Sequence, residues 1–237
     1  MSFYEEIADY YDYIFPLNTT QIGFVQNCID EPHQGKLILD IGCGTGDLAV
    51  ALSDIGFSMI GIDSDPEMLK RAEKKIKSPV VFTRLDMRCI ANSFTPNSFD
   101  AVLCFGNTLV HLAGLSEIED FCRQVKAVMK NNGRFLLQIL NYDHILDHNI
   151  TKLPLIDNDV IVFERSYEHG ELIAFSTILT VKETERTIEN VIHLYPLRKK
   201  ELDKALKRAG FTKVSYYSDF DKKELNENSL PLVVYAS

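Results

Sequence analysis

Short apolar runs recur between residues 36 and 140, each followed by a stretch with helical spacing of its apolar residues. KLILDIG (36–42) is a short, nearly continuous apolar run of the kind that forms a strand buried on both faces. FSMIGID (57–63), VVFTRLD (80–86), FDAVLCF (99–105) and RFLLQIL (134–140) are four further strands. Between them, Asp47 to Ile55 reads as a helix closed by Gly56, and DPEMLKRAEKKIK (65–77) as one capped by Asp65 with Pro66 in its first turn. LSEIEDFCRQVKAVMK (115–130) is a third helix, with NNG (131–133) as its stop. Two more helices are predicted ahead of the first strand, over 2–15 and 19–31.

The rhythm changes after residue 150. The stretch 159–196 is rich in β-branched and aromatic residues without a helix between its strands, which predicts an antiparallel meander turning at His169-Gly170. A helix at 198–210 and strands at 212–219 and 230–236 then return to the main sheet. The pattern predicts an α/β fold, a doubly wound sheet of seven strands with a meander inserted after the fifth. As one domain, 1–237 divides into a helical cap (1–31), a core (36–150 and 197–237) and an inserted antiparallel cap (151–196). That insertion can serve as a lid or as the contact surface of a homo-oligomer.

Composition narrows the classes of partner. No run approaches the roughly 18 apolar residues of a membrane span, and the acidic, aromatic start MSFYEEIADYYDYIF is unlike a secretory signal, so the expected location is the cytoplasm. Five cysteines without a CxxC pair read as reduced and buried, with no metal site. A net charge of −9, with lysines interleaved among acids, offers no basic stripe to nucleic acid.

The candidate chemistry starts at LDIGCGTGD (39–47), a glycine-rich turn joining the first strand to a helix. Such a turn presents backbone N–H groups and a helix N-terminus to a ligand. A dinucleotide site expects GxGxxG, whereas Gly42, Gly44 and Gly46 give GxGxG followed by Asp47. Asp40 adds a second carboxylate just ahead of the turn. These acids would repel a pyrophosphate and suit a ligand with cationic groups, so S-adenosyl-L-methionine is favoured over NAD. A P-loop is excluded because no GK[ST] follows.

Asp63 ends the second strand, where a carboxylate can take both ribose hydroxyls. Asp86 follows the third strand and is placed to accept from an adenine amine, with Met68 and Met87 able to sandwich the ring. Tyr11, Cys43, Ser64 and Phe105, beside these motifs, are assigned to the same cofactor site.

ILDIGCGTGDLA, MIGIDSDPEMLKRA, RLDM and FDAVLCFGNTLVHL together resemble the successive motifs of class I S-adenosylmethionine-dependent methyltransferases, across essentially the whole chain. FGNTLVHL (105–112), NYDHIL (141–146) and Tyr195-Pro196 are similar to the glycine and sarcosine N-methyltransferase group. The resemblance implies that Gly106, Asn107 and His111 line the cofactor and the transfer chamber, and that Tyr13 and Tyr195 orient a small-molecule methyl acceptor. His111 is a candidate general base or a cofactor-lining group, and His193 shares a meander face with Tyr195. The tyrosines of the first helical region, Tyr4, Tyr10, Tyr11 and Tyr13, can tolerate developing positive charge or simply pack.

The resemblance breaks at Leu140, where the glycine methylators have an arginine that grips the substrate carboxylate. An apolar pocket floor, a ring or alkyl acceptor methylated on N or O, and only trace use of glycine or sarcosine are therefore expected, with Arg165 and Arg198 as the nearby cations. The absence of [DN]PP[YF] after the fourth strand argues against base or glutamine amides, and no acid cluster there suggests a magnesium-dependent catechol enzyme. The alternative is a catalytically silent cofactor-binding module whose meander is a protein-interaction surface.

Overall fold

A computed structural model of the chain describes residues 3–76 and 79–237; Ser2 and Lys77, the outer ends of two predicted helices, lie outside them. Five strands come first: β1 (Leu37–Ile41), β2 (Ser58–Asp63), β3 (Val80–Arg84), β4 (Phe99–Cys104) and β5 (Met129–Leu140). The meander follows as β6 (Ile156–Asp157), β7 (Ile161–Glu168), β8 (Ile173–Val181) and β9 (Arg186–Leu194), and β10 (Val214–Tyr217) and β11 (Pro231–Ala236) close the chain. The main sheet has the order β10-β11-β5-β4-β1-β2-β3, with β11 antiparallel to both neighbours and the other pairs parallel. The fold is α/β and doubly wound, with β6 to β9 as a separate antiparallel sheet.

The winding reverses at β1, which lies between β2 and β4. A crevice therefore opens at the carboxyl ends of these strands, where such sheets bind ligands. The central strands are sealed: Ile38, Leu39, Val102 and Leu103 have no exposed side-chain surface. Helices cover both faces: α1 (Phe3–Ile7), α2 (Tyr11–Ile14), α3 (Thr19–Cys28), α4 (Asp47–Asp54), α5 (Pro66–Lys74), α6 (Ile90–Ser93), α7 (Leu115–Val128), α8 (Tyr142–Asp147) and α9 (Lys199–Arg208). α5 starts as its sequence demands, with Asp65 accepting from the N–H groups of Glu67 and Met68 and Pro66 in the first turn.

Three expectations are corrected. The helix predicted over 2–15 is interrupted by a turn at residues 8–10, because tertiary contacts override its local propensity. Asp9 pairs with Arg71 on α5, and Asp12 accepts from Thr45 at 2.5 Å and pairs with Lys75 at 2.5 Å. The second helix ends at Cys28, three residues before its predicted limit. The NNG at 131–133 is no helix stop: β5 begins at Met129 directly after α7, and the register with β4 shifts between Phe99 and Ala101. The chain folds tightly there, since a Cβ on Gly133 would lie 2.6 Å from Met129 Cγ. At the edges, β3 stops at Arg84 and β10 covers only 214–217. No helix among the described residues is long and apolar enough to cross a membrane.

Candidate functional site

The glycine turn after β1 contains three left-handed residues with different duties. Gly42 (φ +70°) has Thr108 Cγ2 only 2.5 Å from where a Cβ would stand, and Gly46 (φ +80°) has Phe82 Cζ at 2.5 Å and Ala72 Cβ at 2.8 Å. Both are required by close packing. Gly44 (φ +54°) would meet only the Tyr11 ring at 3.3 Å, and Gly106 (φ +74°), after β4, has open space beside it. Gly106 is exposed to the crevice, whereas Gly44 is buried beneath that ring.

Of the acids at the strand ends, Asp40 is buried and Asp63 partly buried, and neither has a counter-ion among the described residues. Asp63 Oδ2 accepts from the Gly44 N–H at 3.0 Å and Oδ1 from the Asp65 N–H at 2.9 Å. Burial raises its pKa, although those hydrogen bonds oppose the rise. Asp40 is 4% exposed, and burial together with the Asp63 charge pushes its carboxyl up to about 7. Among the described residues, every ion pair of 4.0 Å or less leaves out both Asp40 and Asp63. One buried and one partly buried carboxylate without a counter-ion thus stand beside the glycine turn, an arrangement that suits a cationic group. Asp47 behaves differently: it pairs with Lys75 at 2.8 Å and helps fasten α2 over the turn.

Two lobes of one crevice meet at Tyr4, Tyr11, Gly42, Gly106 and His111. The outer lobe, about 260 Å³, is lined by Gly44, Asp63, Ser64, Met68, Asp86 and Met87 among others. The inner lobe, about 450 Å³, adds Asp40, Cys43, Phe105, Asn107, Leu140 and Arg165. Sequence-predicted residues are thus drawn together from four strand ends. Asp86, however, accepts from Arg88 Nε at 3.0 Å and pairs with Nη2 at 2.6 Å, and this guanidinium lowers its pKa.

At the junction, Tyr4 Oη and His111 Nε2 are hydrogen bonded at 3.0 Å. Burial lowers the His111 pKa to about 4, which keeps the imidazole neutral at neutral pH. The Asn107 amide is committed at both ends: Nδ2 donates to Tyr142 Oη at 3.1 Å and Oδ1 accepts from the Leu140 N–H at 2.9 Å. It fixes the left-handed turn at Gly106-Asn107, whose Gly106 N–H is also held by Gln138 at 2.8 Å.

Tyr13 and Tyr195 lie outside both lobes. Tyr13 is 49% exposed and its carbonyl accepts from Asn158, while the Tyr195 hydroxyl donates to Glu201 at 2.9 Å. The tyrosines that do line the crevice are Tyr4 and Tyr11 of the cap, whose rings lie 6.4 Å apart, and Tyr167 of β7. Leu140 lines the inner lobe, and Arg165 lines it too, from β7, brought in by the fold of the meander. Arg198 is elsewhere, paired with Asp143 and Asp147 at 2.9 Å each. Among the described residues no group of three or more His, Cys, Asp or Glu is arranged to hold a metal ion.

Residues 38–133 match the family model described as "Methyltransferase domain". Over 197 residues the chain is 29% identical to a glycine/sarcosine N-methyltransferase of Aphanothece halophytica, covering 80% of this chain and 71% of that one. It is 24% identical to a glycine/sarcosine/dimethylglycine N-methyltransferase of Actinopolyspora halophila, over 79% of this chain but only 33% of the relative. An S-adenosylmethionine-dependent methyltransferase structure from Clostridium acetobutylicum superposes with a TM-score of 0.83, at 16% identity, over 100% of this chain and 99% of that one.

Proposed function

This chain belongs to the S-adenosylmethionine-dependent methyltransferases, and we propose that it methylates the nitrogen of a small-molecule acceptor held in the inner lobe. The observation that carries the cofactor placement is the pair of carboxylates without counter-ions, buried Asp40 and partly buried Asp63, around the glycine turn. Asp63 is suited to the ribose hydroxyls and Asp40 to the ammonium of the methionine moiety, with Gly106 leaving open space beside them. Met68, Met87 and Ser64 are in place to surround the adenine. Bound there, S-adenosylmethionine supplies an electrophilic methyl carbon on a cationic sulfur.

The residues at the junction support a nitrogen nucleophile. His111, with its pKa near 4, is too weak a base to ionise a hydroxyl, whereas a neutral amine brings its own lone pair. Nitrogen therefore attacks without proton removal, and the new ammonium loses its proton afterwards. Tyr4, Tyr11 and His111 offer oxygen and aromatic faces to the positive charge that passes between sulfur and nitrogen. Their other duty is to close the junction against water and hold the nitrogen in line with the methyl group, an alignment that can supply about 7–11 kcal/mol. The Tyr4–His111 hydrogen bond fixes one wall of that junction.

The test is formation of S-adenosylhomocysteine with a panel of small primary and secondary amines beside matched alcohols and phenols. Turnover confined to amines is the expected result. Turnover confined to hydroxyl compounds would refute the choice of nitrogen, and no calorimetric binding of S-adenosylhomocysteine would refute the site.

A further inference from the structure

The inner lobe contains one cation that the cofactor site does not use. Arg165 projects from β7, and among the described residues its guanidinium makes a single hydrogen bond, from Nη2 to the Pro154 carbonyl at 2.7 Å. Its Nε is buried and has no acceptor. No carboxylate of the described residues lies within 4.0 Å of it. An arginine is always charged, and burying part of it without a counter-ion opposes folding. Desolvation accordingly lowers its pKa.

The lobe that it lines also has Leu140, Leu153, Phe163 and Phe175, together with Tyr167, whose ring packs against Phe175 at 5.4 Å. The guanidinium also lies 5.8 Å from the centroid of the Phe163 ring. None of these groups can neutralise it. Asp40 and Asp63, in the same crevice, stand at the glycine turn and are assigned above to the cationic cofactor. The crevice is therefore polarised, with unpaired acids around the glycine turn and an unpaired guanidinium among apolar walls.

We propose that Arg165 is a specificity-determining residue which holds a carboxylate on the methyl acceptor, so that the acceptor is an amine joined through an apolar body to a carboxylic acid. The inference rests on the reading of the inner lobe as the acceptor chamber. A planar fork of N–H donors matches a carboxylate, and the low polarity around it strengthens the contact. The aromatic and aliphatic walls occupy the space between the two charged ends, which favours a ring or alkyl chain there. Because Arg165 comes from the inserted sheet, the insertion would choose the acceptor while the core binds the cofactor.

The experiment uses the full chain saturated with S-adenosylhomocysteine, whose own calorimetric affinity reports separately on the cofactor site. Phenylacetate and its neutral twin phenylacetamide are then titrated into the wild-type, Arg165→Leu and Arg165→Lys proteins. The expected result is at least roughly tenfold tighter binding of phenylacetate, a charged contact of the usual strength. That preference should vanish in Arg165→Leu and survive in part in Arg165→Lys, with S-adenosylhomocysteine affinity retained in both. Equal binding of acid and amide, no binding of phenylacetate, or an undiminished preference in Arg165→Leu would overturn the assignment. If instead S-adenosylhomocysteine fails to bind the wild type, it is the placement of the cofactor that falls.

Discussion

At the residue scale, Asp63 and Asp40 share a crevice but differ in how they are satisfied, and they should respond differently to perturbation. Asp63 already accepts two backbone N–H groups, so Asp63→Ala removes both a support of the turn and a ligand contact. S-adenosylhomocysteine binding should weaken by about 2 kcal/mol, roughly 30-fold in Kd, as for loss of charge-assisted hydrogen bonds. Asp40, with a pKa of about 7 in the free protein, holds a proton through much of the acidic range. A cationic ligand favours its ionised form, so binding releases that proton and affinity falls as pH drops below about 7. Calorimetry from pH 5.5 to 8 should show the slope in wild type and a flat profile in Asp40→Asn. The glycines divide in the same way. Gly46→Ala forces a Cβ against Phe82 and Ala72 and should lower the thermal midpoint, an overpacking effect of about 1–3 kcal/mol added to backbone strain. Gly106→Ala meets no protein atom, so it should cost only the backbone strain of about 1–2 kcal/mol while blocking ligand approach. Melting and binding measured on both variants separate packing glycines from ligand-facing ones.

At the element scale, the amino-terminal cap is too short to be stable by itself: α1 has five residues and α2 four. Its order comes from docking. Ile7 and Ile14 pack with Ile161, Phe163 and Leu179 of the inserted sheet, and Asp12 ties α2 to Thr45 and Lys75 at the glycine turn. The cap thus joins the core and the insertion, and it carries Tyr4 and Tyr11 into the crevice. Removing the tie with Asp12→Ala should speed proteolysis ahead of Asn18. Cofactor affinity should fall by no more than about fivefold, since a half-exposed ion pair contributes only modestly. Limited proteolysis with and without S-adenosylhomocysteine checks both, because a ligand that touches Tyr11 should restore protection.

At the scale of the whole molecule, two buried groups give pH dependences of opposite sign. His111 has a folded pKa near 4 against an ordinary value of 6.5, so the unfolded chain binds more protons between those limits and stability falls as pH drops through them. Asp40 has a folded pKa near 7 against 3.8, so the folded chain binds more protons in its window and stability falls as pH rises from about 4 to 7. Between pH 4.5 and 6.5 the slopes oppose each other, and the contribution of this pair to the free protein's stability should be nearly flat. Asp40→Asn leaves the histidine alone, and its thermal midpoint should decline on acidification more steeply than that of the wild type. Melting curves at half-unit pH steps test this, and a saturating cationic ligand should change the wild-type profile toward that of Asp40→Asn.

The sequence by itself determined the layered α/β sheet, the meander and the position of the glycine turn, because those follow from local periodicity and from short motifs that carry their own backbone geometry. KLILDIG can be little other than a buried strand, and the acids at its end and at the end of β2 share one edge of any doubly wound sheet. Only the tertiary structure decided which side chains enter the crevice. Tyr13 and Tyr195 belong to apt segments and yet turn to solvent and to Glu201, while Tyr4 arrives from the amino-terminal cap and Arg165 from the inserted sheet. The difference is physical. A strand-end carboxylate is placed by hydrogen bonds within its own sheet, whereas a side chain on a short cap or an inserted strand is placed by how separate elements dock, which depends on contacts between residues far apart in the sequence.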